Sequence, residues 1–229
     1  MKRFYQKVSV GEIDGMYAVL LDGKTIKTPE KTISLLPTKK MAEAIAKEWD
    51  NQKEDIDPGS MPITKLFNTA IDRVEKRRGD LIDELVEFAG ADQLCYRADD
   101  PPELVEQQNK IWDKLLARMK SNHDINFKLT SGIVFIEQDK TELAKIRSLI
   151  EKIESFKLVA FYAMVTVTGS VTIGFNLFEG HITVEDAWDA GHLDENFQTA
   201  MWGIDQEAQI RRDNLKTELI NAYYFLNLC

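Results

Sequence analysis

Leu158–Phe178 reads LVAFYAMVTVTGSVTIGFNLF, and Glu179–Glu207 continues it as EGHITVEDAWDAGHLDENFQTAMWGIDQE. The first part has no charged residue of either sign. The second holds eight carboxylates, Glu179, Glu185, Asp186, Asp189, Asp194, Glu195, Asp205 and Glu207, and neither part contains a lysine or arginine. Those eight account for most of the formal net charge of −9, so the acidity is local. Trp188, Phe197, Met201 and Trp202 are interleaved with them. An uncharged, helix-length run followed by an acidic, aromatic one predicts a buried helix that carries a recognition surface.

A membrane span must be weighed against that reading, because about 20 apolar residues suffice to cross a bilayer. Thr166, Thr168, Ser170, Thr172 and Asn176 make the run only moderately apolar, and Gly169 and Gly174 weaken it as an autonomous helix. Aromatic belts and a lysine/arginine bias in flanking loops are missing from the sequence. Ser170 and Gly174, one turn apart, let another backbone come close, as in the centre of a soluble bundle. The chain is therefore expected not to span a membrane, and to be monomeric when free.

A hydrophobic content of 44% with 29% charged residues is that of an ordinary globular protein. The acidic balance argues against nucleic acid, which needs clustered lysine and arginine to neutralise phosphates. It favours a partner with a basic patch. Cys95 and Cys229 form no zinc or disulfide pattern, which points to a reducing compartment. The amino terminus, MKRFYQK, lacks the apolar core of a signal peptide and enters a strand pattern too soon for a transit peptide. A bacterial cytoplasm is expected, or an organelle for a processed protein.

Upstream, Met16–Leu21 runs into Asp22-Gly23 and returns as Lys24–Thr28, a hairpin signal because both turn positions need positive φ. Ile33–Leu36 predicts another strand. Thr38 is placed as the N-cap of a helix carrying Met41, Ala44, Ile45, Glu48 and Trp49 to about Gln52. Asp57-Pro58-Gly59-Ser60 then marks a boundary. Past it, helical spacing recurs over Pro62–Val74, from Asp80 to Gly90, from Leu104 to Met119, over Leu143–Ile153 and over Leu215–Leu226. Ile125–Ile136 alternates around Gly132 and predicts a short hairpin or strand pair. The fold class is α+β: a small antiparallel β domain with one helix, residues 1–59, followed by a larger, mostly α-helical domain, residues 60–229.

Carboxylate clusters also suit acid/base or metal chemistry, so a hydrolase or metal-dependent enzyme using residues 185–207 is the alternative. Asp189 and His192 give the only spacing loosely like a di-metal bundle motif, and nothing repeats it. His123, His181 and His192 never fall in zinc-protease spacing. Gly169–Gly174 has phosphate-loop spacing, but Phe175 and Asn176 stand where lysine and a hydroxyl are required. Cys95, between Leu94 and Tyr96, reads as a small packed hydrophobe rather than a reactive thiol. No catalytic constellation emerges and no cofactor is implied.

Several stretches taken together resemble one family. They are Tyr17–Leu21 with Asp22-Gly23-Lys24 and Lys27-Thr28-Pro29, Ile45–Trp49, Met61-Pro62 with Asn68–Val74, Leu94–Ala98, Thr168-Gly169-Ser170, Leu193-Asp194-Glu195, and Trp202–Ala208. In order and spacing they are similar to the assembly chaperones for the α subunit of the F-type ATP synthase catalytic head, of mitochondria and α-proteobacteria. The resemblance implies a β domain before a helical one and a non-enzymatic role, holding the free α subunit until the β subunit takes its place. Lys65, Gln93 and Phe197 depart from the family pattern, which bears on details of the contact surface.

A chaperone of this kind covers interface that would otherwise aggregate, yet must be displaced by mass action. Phe197 and Trp202 are candidate anchors, with Asp194, Glu195, Asp205 and Glu207 as a rim that sets orientation and on-rate. For Trp202 the other possibility is core packing. For Glu207 it is a local pair with Arg211, four residues on.

Overall fold

The computed structural model describes residues 1–132 and 134–229. The chain packs as two compact units. The first comprises Met1–Arg78, Glu154–Ala160 and Asn221–Cys229, and the second Gly79–Ile153 and Phe161–Ile220.

In the first unit, β1 (Val8–Ile13), β2 (Met16–Leu21) and β3 (Lys24–Thr25) form an antiparallel sheet in the order β1-β2-β3. Both hairpins turn on Asp-Gly pairs whose two residues have positive φ: Asp14 and Gly15 at 52° and 78°, Asp22 and Gly23 at 48° and 80°. That is the backbone twist a two-residue hairpin loop requires. The Asp22 carboxylate further accepts from the backbone N–H of Gln6 and Lys7. Ile33 and Leu36 make only isolated bridges, to Lys27 and Tyr17, so the expected fourth strand does not form.

Helix α1 (Lys39–Asp50) lays Met41, Ala42 and Ile45 on the sheet, and Thr38 caps it by accepting from the Met41 N–H at 3.2 Å. Helix α2 (Pro62–Thr69) begins where Glu48 reaches it. That carboxylate accepts from the N–H groups of Ile63 and Thr64, both at 2.7 Å, and from the Thr64 hydroxyl. The pairing gives the Ile45–Trp49 and Met61-Pro62 stretches a shared structural reason. A π-helical turn, Ala70–Val74, follows α2 directly.

The sequence division at residue 59 and this packing divide the chain differently. A sheet and one helix leave too little buried surface for so short a segment to stand alone. The first unit is completed by α2 and by distant pieces of chain. Phe156 stacks on Phe67 with ring centres 5.6 Å apart, Ala222, Phe225 and Leu228 are buried, and Thr38 donates its hydroxyl proton to the Leu228 carbonyl. Helix α3 (Glu75–Gly90) is kinked at Arg77, next to the residue where this unit ends.

The second unit is helical. Its helices are α4 (Pro102–His123), α5 (Lys140–Ile150), α7 (Val171–Phe178), α8 (Val184–Gly191) and α9 (Leu193–Trp202), with most of α3, of α6 (Ser155–Thr168) and of α10 (Gln206–Leu226). Helix α4 buries Leu104, Gln108, Trp112, Leu115 and Met119, the spacing read from sequence. The strand signal near Gly132 resolves differently from the expected local hairpin. Strand β5 (Thr130–Ser131) pairs in parallel with β4 (Tyr96–Arg97), a partner outside the alternating segment, while Ile133 of that segment lies outside the described residues.

The apolar run is not one helix. Gly169 has φ +67° and Ser170 caps a new helix by accepting from the Ile173 N–H, so α6 and α7 are separate. At 14 and 8 residues, neither helix approaches the length of about 20 needed to cross a bilayer. No helix among the described residues is long and apolar enough to do so. Gly174 lets α7 fold back on α6: a Cβ there would stand 2.6 Å from Val165 Cγ2.

Candidate functional site

The break between α6 and α7 is held by residues just before β4. Asp92 is fully buried, and its carboxylate accepts from the N–H of Leu94 at 3.1 Å and of Thr172 at 2.9 Å. Burial raises its pKa, against the pull of these hydrogen bonds. Gln93 donates to the carbonyls of Thr168 (2.8 Å) and Gly191 (2.9 Å). Gly191 lies against the backbone of Thr168, with 3.0 Å for an added Cβ. The Gln93 departure from the family pattern is thus a tie between α6 and α8. Cys95 is buried, and burial pushes its thiol pKa up, away from thiolate chemistry.

That tie sets where the acidic segment emerges. Thr183 and Asp186 form a reciprocal capping box at the start of α8. Trp188 is buried, stacked by His192 with ring centres 3.7 Å apart, and overlain by Arg212 at 5.4 Å and Lys216 at 5.9 Å. Burial lowers the His192 pKa, favouring the neutral ring. The cations absent from residues 158–210 are supplied by α10.

The six candidate contact residues separate into two groups. Asp194 is exposed but accepts from Gln108 Nε2 at 2.7 Å, and Gln108 Oε1 in turn accepts from the Ala98 N–H. Glu195 is held between Arg211 at 3.1 Å and Arg212 at 2.5 Å, and Phe197 is half-buried. Asp194 ties α9 to α4 and Glu195 ties it to α10. Trp202 is 78% exposed, so it is no core residue. Asp205 accepts from the Ala208 N–H at 2.9 Å and caps α10, and Glu207 lies exposed in the first turn of that helix. The pair between Glu207 and Arg211 does not form, because Arg211 turns to Glu195 instead.

The same junction exposes Met201 (63%), Ile204 and Ile210. Gly203, with φ +79°, ends α9 and throws Ile204 outward. Ile204 and Ile210 are not among the candidates that the acidic, aromatic pattern singles out. Both follow the helix stop at Gly203 and flank the start of α10, an apolar residue on each side of the Asp205 cap. Among the described residues, no group of three or more His, Cys, Asp or Glu is arranged to hold a metal ion. What this edge offers chemically is apolar area with carboxylates beside it.

Comparison with known proteins agrees with this architecture. The family described as ATP12 chaperone protein matches residues 2–120. The mitochondrial protein atp12 of Schizosaccharomyces pombe is 26% identical over 96% of this chain and 80% of its own length. The crystal structure of Atp12 from Paracoccus denitrificans has a TM-score of 0.94 and 33% identity, covering 99% of this chain and 97% of that one. A protein of Agrobacterium tumefaciens described as a candidate chaperone also has a TM-score of 0.94, with 34% identity, covering 99% of this chain and 85% of its own. The chain belongs to the ATP12 chaperone family, an ATP synthase assembly chaperone family and not a family of enzymes.

Proposed function

We propose that this chain binds the free α subunit of the F-type ATP synthase, shields its exposed subunit interface, and hands it over as the catalytic head assembles. The observation that carries the reading is the junction of α9 and α10. Met201, Trp202, Ile204 and Ile210 are exposed there beside Asp205 and Glu207. A large exposed tryptophan among apolar neighbours is costly in water and is the commonest kind of interface anchor. The adjoining carboxylates steer a basic partner and fix its orientation. Asp194 and Glu195 act beside this edge, by holding α9 to α4 and α10, and the half-buried Phe197 is a lesser anchor. The place of action follows the relatives, which are bacterial and mitochondrial: the bacterial cytoplasm or the mitochondrial matrix.

The test is titration calorimetry of the purified chain with isolated α subunit, and with α subunit already paired with β. Saturable binding to free α that disappears once β occupies its interface supports the proposal. Equal binding to both, or none to either, overturns it.

A further inference from the structure

The first unit carries a second surface, of opposite charge logic. Trp49, Ile56 and Met61 floor a groove of about 490 Å³, edged by Lys65 and Arg73. A smaller depression of about 290 Å³ is also lined by Trp49 and is edged by Lys24 and Lys27. Both volumes are near the roughly 300–1,000 Å³ of ordinary ligand pockets, and the shared tryptophan makes them neighbours.

The carboxylates in these walls are already engaged. Asp72 is buried and accepts from the Thr28 hydroxyl at 2.7 Å and from the Glu30 N–H at 3.1 Å. Glu30 pairs with Lys76, and Asp22 accepts from the backbone of Gln6 and Lys7. Lys24, Lys27, Lys65 and Arg73 are exposed and make no ion pair among the described residues. In a chain with 38 acidic against 29 basic residues, four cations left without carboxylates along two adjoining depressions are a local inversion of charge. The indole N–H of Trp49, the tryptophan that lines both depressions, is buried and has no acceptor among the described residues.

The backbone is specialised at the same place. Lys65, Thr69 and Asp72 follow the spacing of one helix face, and the π-helical turn at Ala70–Val74 brings Asp72 to Thr28 while Arg73 stays on the rim. Single π turns inside helices are frequent at functional sites. Four cations are too few, over too apolar a floor, for a phosphate backbone. They suit carboxylates flanking a buried apolar side chain.

We propose that this face receives an extended acidic peptide segment of a protein partner, with one apolar side chain seated on Trp49, Ile56 and Met61. The complementarity is the reverse of that at the α9–α10 edge, so the two surfaces select different features of what they bind.

The test uses a fluorescein-labelled ten-residue peptide of aspartate and glutamate around a central Leu-Phe pair, and a twin with lysine in place of every acid. Anisotropy should show saturable binding of the acidic peptide alone, weakened about tenfold or more by Lys65→Glu with Arg73→Glu and falling with added salt. In the unaltered chain, the Trp49 indole N–H resonance should shift on peptide addition, a readout that does not depend on any variant folding. Equal binding of both peptides, no binding, or an unmoved Trp49 resonance overturns the proposal. So does sedimentation showing a self-associated chain that the peptide disperses, which would give the groove to a second copy. The probe contains no ATP synthase sequence, so its failure leaves the α-subunit reading standing.

Discussion

The α6–α7 junction and the α9–α10 edge lie in the same unit and spend their polar groups in opposite ways. At the first, Asp92, Gln93 and Ser170 each find backbone partners inside the protein. At the second, Asp205 satisfies one helix N-terminus, Glu207 faces solvent, and Met201, Trp202, Ile204 and Ile210 stay uncovered. Both regions contributed stretches to the family resemblance. A shared motif therefore reports architecture at one place and a free surface at another, and only the partners of its side chains tell which.

The sharpest way to break this contrast is at Asp92. Asp92→Ala leaves the Leu94 and Thr172 N–H groups buried without an acceptor, at about 1–3 kcal/mol each. Urea unfolding should show a loss of roughly 2–6 kcal/mol, with α-subunit affinity unchanged in the fraction that remains folded. A loss within experimental error would mean the junction is not held as described. The titration of the same group has a definite sign. Because burial raises its folded pKa, the folded state keeps a proton at pH values where the unfolded chain has lost it. Its contribution is full below the ordinary carboxylate range and is lost as pH climbs through that range toward the raised value. The stability advantage of the native chain over Asp92→Asn should therefore shrink with rising pH, and an advantage that grows would reverse the assignment.

Next in size is Gly169→Leu. The position has φ +67° and only 3.0 Å between an added Cβ and Gln93 Oε1, so the substitution strains the backbone and displaces the Gln93 tie. A cost of about 1–3 kcal/mol is expected. An unchanged melting temperature would show that the break tolerates a side chain. Trp202→Ala inverts the pattern: stability should move by less than about 0.5 kcal/mol, as for an exposed residue. Affinity for the α subunit should fall about tenfold or more. Calorimetric titration and thermal melting on one sample separate the two, and a large loss of stability with intact binding would make Trp202 structural.

What was legible in the sequence followed local chemistry. Asp22-Gly23 announces its hairpin and Thr38 its helix, because the information lies within a few residues. The split of the apolar run was hidden because Gly169 looks like a mere helix weakener, and Ser170 a small packing residue, until the positive φ of the one and the capping bond of the other are known. The extent of the first unit was hidden for another reason: Phe156 and Phe225 are ordinary apolar positions on their own helices, and only the tertiary fold assigns them to Phe67 and the sheet unit. At the candidate site, composition located the acidic edge. It could not say that Glu195 spends its charge on Arg211 and Arg212 while Glu207 keeps its own.

Glu207 gives the smallest and most discriminating effect. It lies in the first turn of α10, where a negative charge favours the helix dipole by about 0.3–1 kcal/mol. Glu207→Lys forfeits that and adds mild repulsion toward Arg211, so the fold should survive with a stability change below about 1 kcal/mol. A rim carboxylate acts mainly on encounter, so the association rate with the α subunit should drop a few-fold at low salt while the dissociation rate holds. Raising ionic strength should close the gap as the Debye length falls from about 30 Å at 0.01 M to about 8 Å at 0.15 M. Because Arg211 is engaged by Glu195, adding Arg211→Glu should not rescue Glu207→Lys but should cost a contact of its own. Stopped-flow association at two ionic strengths, beside circular dichroism of each variant, reads all of this. Rescue by the double variant would restore the intrachain pair that the geometry excludes, and an unchanged low-salt on-rate would move the edge of the contact away from the start of α10.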